Sequence, residues 1–184
     1  MSSSALLCRL GDPAWDLPAP IPADANFGPQ CSEYASSRCC SDNYTAVFSS
    51  GPGGSANPEA LYPGYTYNQC PQLRNISAAC VGFLSRQECS FACDPVLGTA
   101  YDGVNPIPLC PSMCDAWFAA CADDYTCETD WETWPESSPN GLPFGYYCPE
   151  NSCRTYREVY GNSSGLCTNM WAPVYNVSTS DTAW

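Results

Sequence analysis

The sequence predicts a small, disulfide-stapled α+β domain of short helices, short strands and long loops. Three observations carry that expectation. Fifteen of 184 residues are cysteine, a density that reads as bridges formed in an oxidising compartment. Eighteen prolines and 13 glycines leave little room for long regular elements. Helical spacing is confined to a few short segments. At this length one domain spanning 1–184 is expected, its moderate core reinforced by bridges worth roughly 2–4 kcal/mol each where they close long loops.

Residues 11–30 and 49–58 are rich in Pro, Gly and Ser and read as surface loops. Residues 59–69 read as a short strand with a bend, in which Tyr65 and Tyr67 would share a face. From Asn75 to Cys89 the chain lacks Pro and places Ile76, Cys80, Phe83, Leu84 and Gln87 at helical spacing. A second helix is predicted over Pro111 to Tyr125, with proline at its start and Cys110, Cys114, Trp117 and Cys121 along one face. That face is expected to be a bridged core stripe. A metal–thiolate site would need a local C-x2-C that is absent, so no metal is expected. Residues 128–147 are rich in aromatics and turn formers, and a third helix is predicted near Arg154 to Tyr160.

Charge narrows the function. Nineteen acids face six arginines, with no lysine and no histidine, for a net charge of −13. Nucleic acid is excluded as a partner because nothing builds a basic patch. Without His there is no Ser/His or Cys/His nucleophile, and without Lys no Schiff base, so no catalytic residue and no cofactor are expected. The acidic run Asp123, Asp124, Glu128, Asp130, Glu132 and Glu136 lacks a calcium-loop pattern and reads as a solvated face. No stretch is apolar for the length of a membrane span, and residues 1–10 hold too short an apolar run for a signal peptide. An export signal would therefore have been removed or lie outside these residues. Four N-x-[ST] sequons, at Asn43, Asn75, Asn162 and Asn176, point to N-linked glycans and an extracellular location, secreted or at the cell surface.

Several segments carry a more specific pattern: CCSDNYT (39–45), CSFACDP (89–95), LCPSMCDAWFAACADDYTCETDW (109–131), and the spacing of Cys153, Cys167, Trp171, Tyr175 and Val177. In these the chain resembles, over nearly its whole length, the folate receptor and riboflavin-binding protein family of cysteine-rich extracellular domains. The resemblance implies the folate-receptor-like fold and the bridges Cys8–Cys39, Cys31–Cys89, Cys40–Cys93, Cys70–Cys153, Cys80–Cys121, Cys114–Cys167 and Cys127–Cys148. It leaves Cys110 over. In the family its partner would fall beyond Trp184, so the chain is expected to be truncated at its C-terminal end, or Cys110 to be unpaired or bonded between chains.

The resemblance also places a pocket. Tyr65, Tyr67, Phe91, Trp131, Trp134, Trp171 and Tyr175 stand at or near the family's ligand-stacking positions, and can sandwich a flat heterocycle. The position of the pterin-binding acid holds Gln87, which cannot form a charge-assisted bidentate pair. The segment between Cys93 and Cys110 carries no Arg or Lys for a glutamate tail, and Trp131 leads into Glu132 and Trp134 where folate receptors have basic residues. Folate itself is therefore not expected. Two functions follow: a protein-interaction or extracellular self-assembly module, which the lost charges favour slightly, or a carrier of a neutral flavin- or pterin-like molecule. Both are binding functions and not catalysis.

Overall fold

A computed structural model describes residues 16–22, 29–41, 67–97, 105–131 and 148–180. Its elements in chain order are β1 (Asp16–Ile21), β2 (Arg38–Cys40), α1 (Ala78–Cys93), β3 (Ile107–Leu109), α2 (Pro111–Cys121), β4 (Tyr125–Thr126), β5 (Arg154–Thr155), α3 (Tyr156–Tyr160), α4 (Ser163–Asn169) and β6 (Tyr175–Val177). A 3-10 segment kinked at Cys31 occupies Pro29–Tyr34, and a single 3-10 turn occupies Glu150–Ser152. Among the described residues the strands pair only in twos, β1 with β2, β3 with β6 and β4 with β5. The fold is thus a disulfide-rich mixture of short helices and short strands. The chain gathers into two compact units, Met1–Pro63 with Leu84–Asn105, and Gly64–Phe83 with Pro106–Trp184.

In the first unit β1 and β2 pair antiparallel in an irregular register, Asp16 opposite Cys40 and Ile21 opposite Arg38. The expectation of an unbroken loop over 11–30 is corrected here. Among the described residues this ribbon has two strands only, so both are edges, where proline is tolerated. Bridges Cys31–Cys89 and Cys40–Cys93 bind the 3-10 turn and β2 to the later turns of α1. Cys39 is buried and also disulfide-bonded, while Cys8, its implied partner, lies outside the described residues. The Tyr34 hydroxyl and Ser90 Oγ lie 2.8 Å apart, a further link between the turn and α1. Asp94 follows the helix at once, its Oδ1 accepting from the Val96 N–H at 2.7 Å in an Asx turn.

In the second unit β3 and β6 run parallel, Ile107 beside Tyr175 and Leu109 beside Val177. Strands β4 and β5 pair antiparallel. Cys80–Cys121 joins the first turns of α1 to the end of α2, and Cys114–Cys167 joins α2 to α4. Cys70–Cys153 and Cys127–Cys148 complete the set. These four and the two of the first unit are the pairings the resemblance implies. The core is built on Trp117, Trp131, Tyr67, Tyr156, Leu166 and Met170, all essentially inaccessible.

Helix ends are set by local chemistry. Helix α1 begins at Ala78, three residues after Asn75, because Ser77 Oγ accepts from the Cys80 N–H at 3.2 Å and acts as the cap. It continues past Cys89 to Cys93, held by the bridges at both cysteines. Helix α2 starts with Pro111 in its first turn and stops at Cys121, short of the expected Tyr125, where the chain enters β4. The predicted start at Arg154 is also shifted: Arg154 and Thr155 form β5, and Thr155 with Glu158 makes a capping box that begins α3. That box holds the Glu158 carboxyl below its usual range, through hydrogen bonds from the Thr155 backbone and side chain. Gly161 ends α3 with φ of 75°, a region side chains disfavour. Asn162 then caps α4, accepting from the Gly165 N–H at 2.8 Å.

Candidate binding site

Three aromatic rings of the second unit form a connected ladder. Tyr67 and Trp131 are stacked with centroids 6.2 Å apart, and Trp131 and Trp171 meet at 5.9 Å with a 60° tilt. Tyr67 and Trp131 are buried, whereas Trp171 is half-buried. The Trp131 backbone N–H donates to Met170 O at 2.6 Å, which fixes the middle ring against the end of α4. The chain then turns, the Val174 N–H donating to Trp171 O at 2.6 Å, and enters β6 with Tyr175 buried. Ladder positions from three separate segments are thus held by backbone bonds, which keeps the rings in place without relying on ring–ring attraction alone.

A polar margin accompanies the rings. Tyr160 donates its hydroxyl to Glu128 O at 3.0 Å, and burial drives its phenol well above the ordinary range, only partly offset by the Trp131 side chain. Its ring lies 5.7 Å from that of Tyr156, whose phenol burial also raises strongly. Gln69 is fully buried, its Oε1 accepting from Thr126 Oγ1 at 2.6 Å and its backbone carbonyl from the Cys148 N–H at 2.7 Å. The Trp171 indole N–H and Gln69 Nε2 have no hydrogen-bond partner among the described residues.

The arginines of this unit are already engaged. Arg74 reaches the Asp124 carboxylate at 3.4 Å and lies over the Tyr125 ring. Arg157 pairs with Asp123 at 3.1 Å and lies over Phe118. Arg154 sits in the field of Glu158.

Of the predicted pocket residues, the structure brings together Tyr67, Trp131 and Trp171, with Tyr175 in the neighbouring strand. Gln87 and Phe91 belong to the other unit, four residues apart on α1 and both half-buried. Glu88 is buried beside them in sequence but turned to another side of the helix, as its spacing requires. Tyr65 and Trp134 lie outside the described residues, as does Asn43. Asn75, Asn162 and Asn176 are all exposed. Cys110 caps α2, holds a thiol and is 9% exposed.

One expectation is overturned by the geometry: the acidic run is not uniformly solvated. Asp124 is 3% exposed, and its carboxylate accepts from the Ser77 N–H at 3.0 Å and the Ser77 hydroxyl at 2.6 Å. Its partners lie 47 residues away, so no local pattern distinguishes it from Asp123. Tyr160 and Gln69 were likewise missed, since each is drawn to the rings by residues distant in sequence.

The arrangement defines a class: a cystine-stapled binding domain in which buried rings, and not ionised side chains, dominate the site. Comparison makes the assignment specific. The family model described as "Folate receptor family" matches residues 8–183. "Riboflavin-binding protein" of Dromaius novaehollandiae is 33% identical over 160 residues, covering 82% of this chain and 60% of the relative. The protein of the same name from Gallus gallus is 31% identical over 182 residues, covering 94% of this chain and 68% of the relative. The chain therefore spans about two thirds of the length of these relatives. It belongs to the folate receptor family, a family of non-enzymatic binding proteins.

Proposed function

We propose that this protein is an extracellular carrier or receptor for a neutral, flat heterocycle of the flavin class. The observation that carries the reading is the Tyr67–Trp131–Trp171 ladder, whose outer ring is half-buried and so partly open to a ligand. A planar ring laid on the accessible part of Trp171 extends the stack. Relatives named for riboflavin point to the same chemistry. Taken together these weigh the carrier above the interaction module that the lost charges alone favour. Exposed Asn75, Asn162 and Asn176 support N-linked glycans and export.

Riboflavin fluorescence titrated with the purified protein provides the test. Saturable quenching is expected, weakened about 10- to 100-fold in Kd by Trp171→Ala, the loss of roughly 1.5–3 kcal/mol for one deleted stacking ring. Absence of quenching by the wild-type protein, or equal affinity in the variant, overturns the reading. A protein that binds no flavin but elutes as a polymer returns the function to assembly.

A further inference from the structure

Two cystines of the second unit share one sulfur cluster. The Sγ atoms of Cys70, Cys148 and Cys153 all lie within 4.8 Å of one another, although Cys70 is bonded to Cys153 and Cys148 to Cys127. As cystine sulfurs they offer no thiolate to a metal. What they offer is a short path for exchange. Cys153 is half-buried, whereas Cys70 and Cys148 are 1% and 3% exposed, so a reductant meets Cys153 first. The Gln72 side chain donates to Cys153 Sγ at 3.3 Å and to Cys148 O at 2.9 Å, placing an N–H beside the sulfur that would carry negative charge. At the far end, a Glu128 carboxylate oxygen lies 3.9 Å from Cys127 Sγ.

We propose that this cluster is a thiol–disulfide exchange site that takes a dithiol reductant and passes reduction from the Cys70–Cys153 bridge to Cys127. A reductant thiolate attacks Cys153 Sγ, and the Cys70–Cys153 bond breaks with Cys70 leaving as a thiolate that takes a proton. The reductant's second thiolate closes its own disulfide and expels Cys153 as a thiolate, stabilised by the Gln72 N–H. That thiolate attacks Cys148 Sγ, the Cys148–Cys153 bond forms, the Cys127–Cys148 bond breaks, and its electron pair goes to Cys127, which takes a proton. The resulting S–H has the Glu128 carboxylate as its acceptor. One dithiol is oxidised to a disulfide, and the protein holds one bridge fewer, with thiols at Cys70 and Cys127. The exchange exploits proximity: a thiolate fixed within 4.8 Å of the target sulfur needs no second collision. Its consequence is that Cys127 and Cys148, 21 residues apart in sequence, are no longer bridged to each other. The inference is independent of the ligand, since it requires only the sulfur geometry.

The full chain, with pre-existing thiols blocked by iodoacetamide, is treated with less than one equivalent of dithiothreitol, quenched with acid and alkylated with a second label. Peptide mapping is expected to find the second label on Cys70 and Cys127, together with a Cys148–Cys153 cross-linked peptide. Gln72→Glu removes the donor and sets a like charge beside the sulfur. It should slow attack at Cys153 Sγ, and with it the labelling of both Cys70 and Cys127, on the order of fivefold. Label on Cys70 and Cys153 with Cys127–Cys148 intact overturns the proposal. So does a Gln72→Glu protein that labels Cys127 at the wild-type rate.

Discussion

At the scale of single residues, Asp124 shows how one buried carboxylate organises its surroundings. It accepts two bonds from Ser77 and one from Arg74, and its own backbone carbonyl accepts from the Tyr156 N–H at 2.9 Å. Ser77 in turn caps α1, so the acid holds the cap that starts the helix. Asp124→Ala is expected to lower unfolding free energy by about 2 kcal/mol, because a half-buried N–H and hydroxyl lose their buried acceptor together. Asp124→Asn should cost roughly half as much, since the Ser77 hydroxyl can turn from donor to acceptor while Oδ1 keeps the backbone N–H. Chemical denaturation of both variants measures the ordering. Equal losses, or a loss under about 1 kcal/mol for alanine, would show that water replaces the missing carboxylate as acceptor.

At the scale of elements, α1 carries the load of three bridges, at Cys80, Cys89 and Cys93, and contains one glycine that no packing explains. Gly82 is exposed, and a methyl group built on it meets nothing within 4 Å. Gly82→Ala should therefore stabilise by about 0.5–1 kcal/mol, seen as a rise in melting temperature with unchanged ligand affinity. A fall in stability would mean that the open space is occupied in the native protein. The helices themselves were legible because their signals are local: proline opening α2, and buried Cys80 and Leu84 at helical spacing in α1. What misled was equally local. Prolines in 11–30 read as loop, and only pairing with β2, 17–24 residues away, makes a strand there. Helix α4 gave little advance signal, for its start depends on Asn162 folding back onto Gly165 in a stretch that reads as a polar loop.

At the scale of the whole molecule, the scaffold was readable from cysteine spacing, because six bridges between distant segments fix which elements are neighbours. The site was only partly readable. Stacking positions such as Tyr67 and Trp131 follow from the framework, but the Asp124 and Gln69 networks depend on side chains brought together from distant segments. Composition makes the last prediction. With 19 acids, six arginines and no histidine, no side chain here has an ordinary pKa between those of the carboxylates and the thiol. Proton uptake on mild acidification is therefore small, and stability is expected to be flat from about pH 7.5 to 5.5, the melting temperature moving by less than about 2 °C. Below that window the sign is fixed by groups such as Glu158, whose folded carboxyl titrates lower than its unfolded one. Their contribution is present above the unfolded value and is lost as pH falls through the folded value, so melting temperature should drop below about pH 5. The same chemistry removes the imidazole through which a carrier would shed cargo in a mildly acidic compartment, so flavin affinity should follow the same flat profile. Thermal melts and flavin titrations at matched ionic strength test both. A shift beyond about 5 °C, or a tenfold loss of affinity, between pH 7.5 and 5.5 would require a carboxylate pushed far upward by its surroundings.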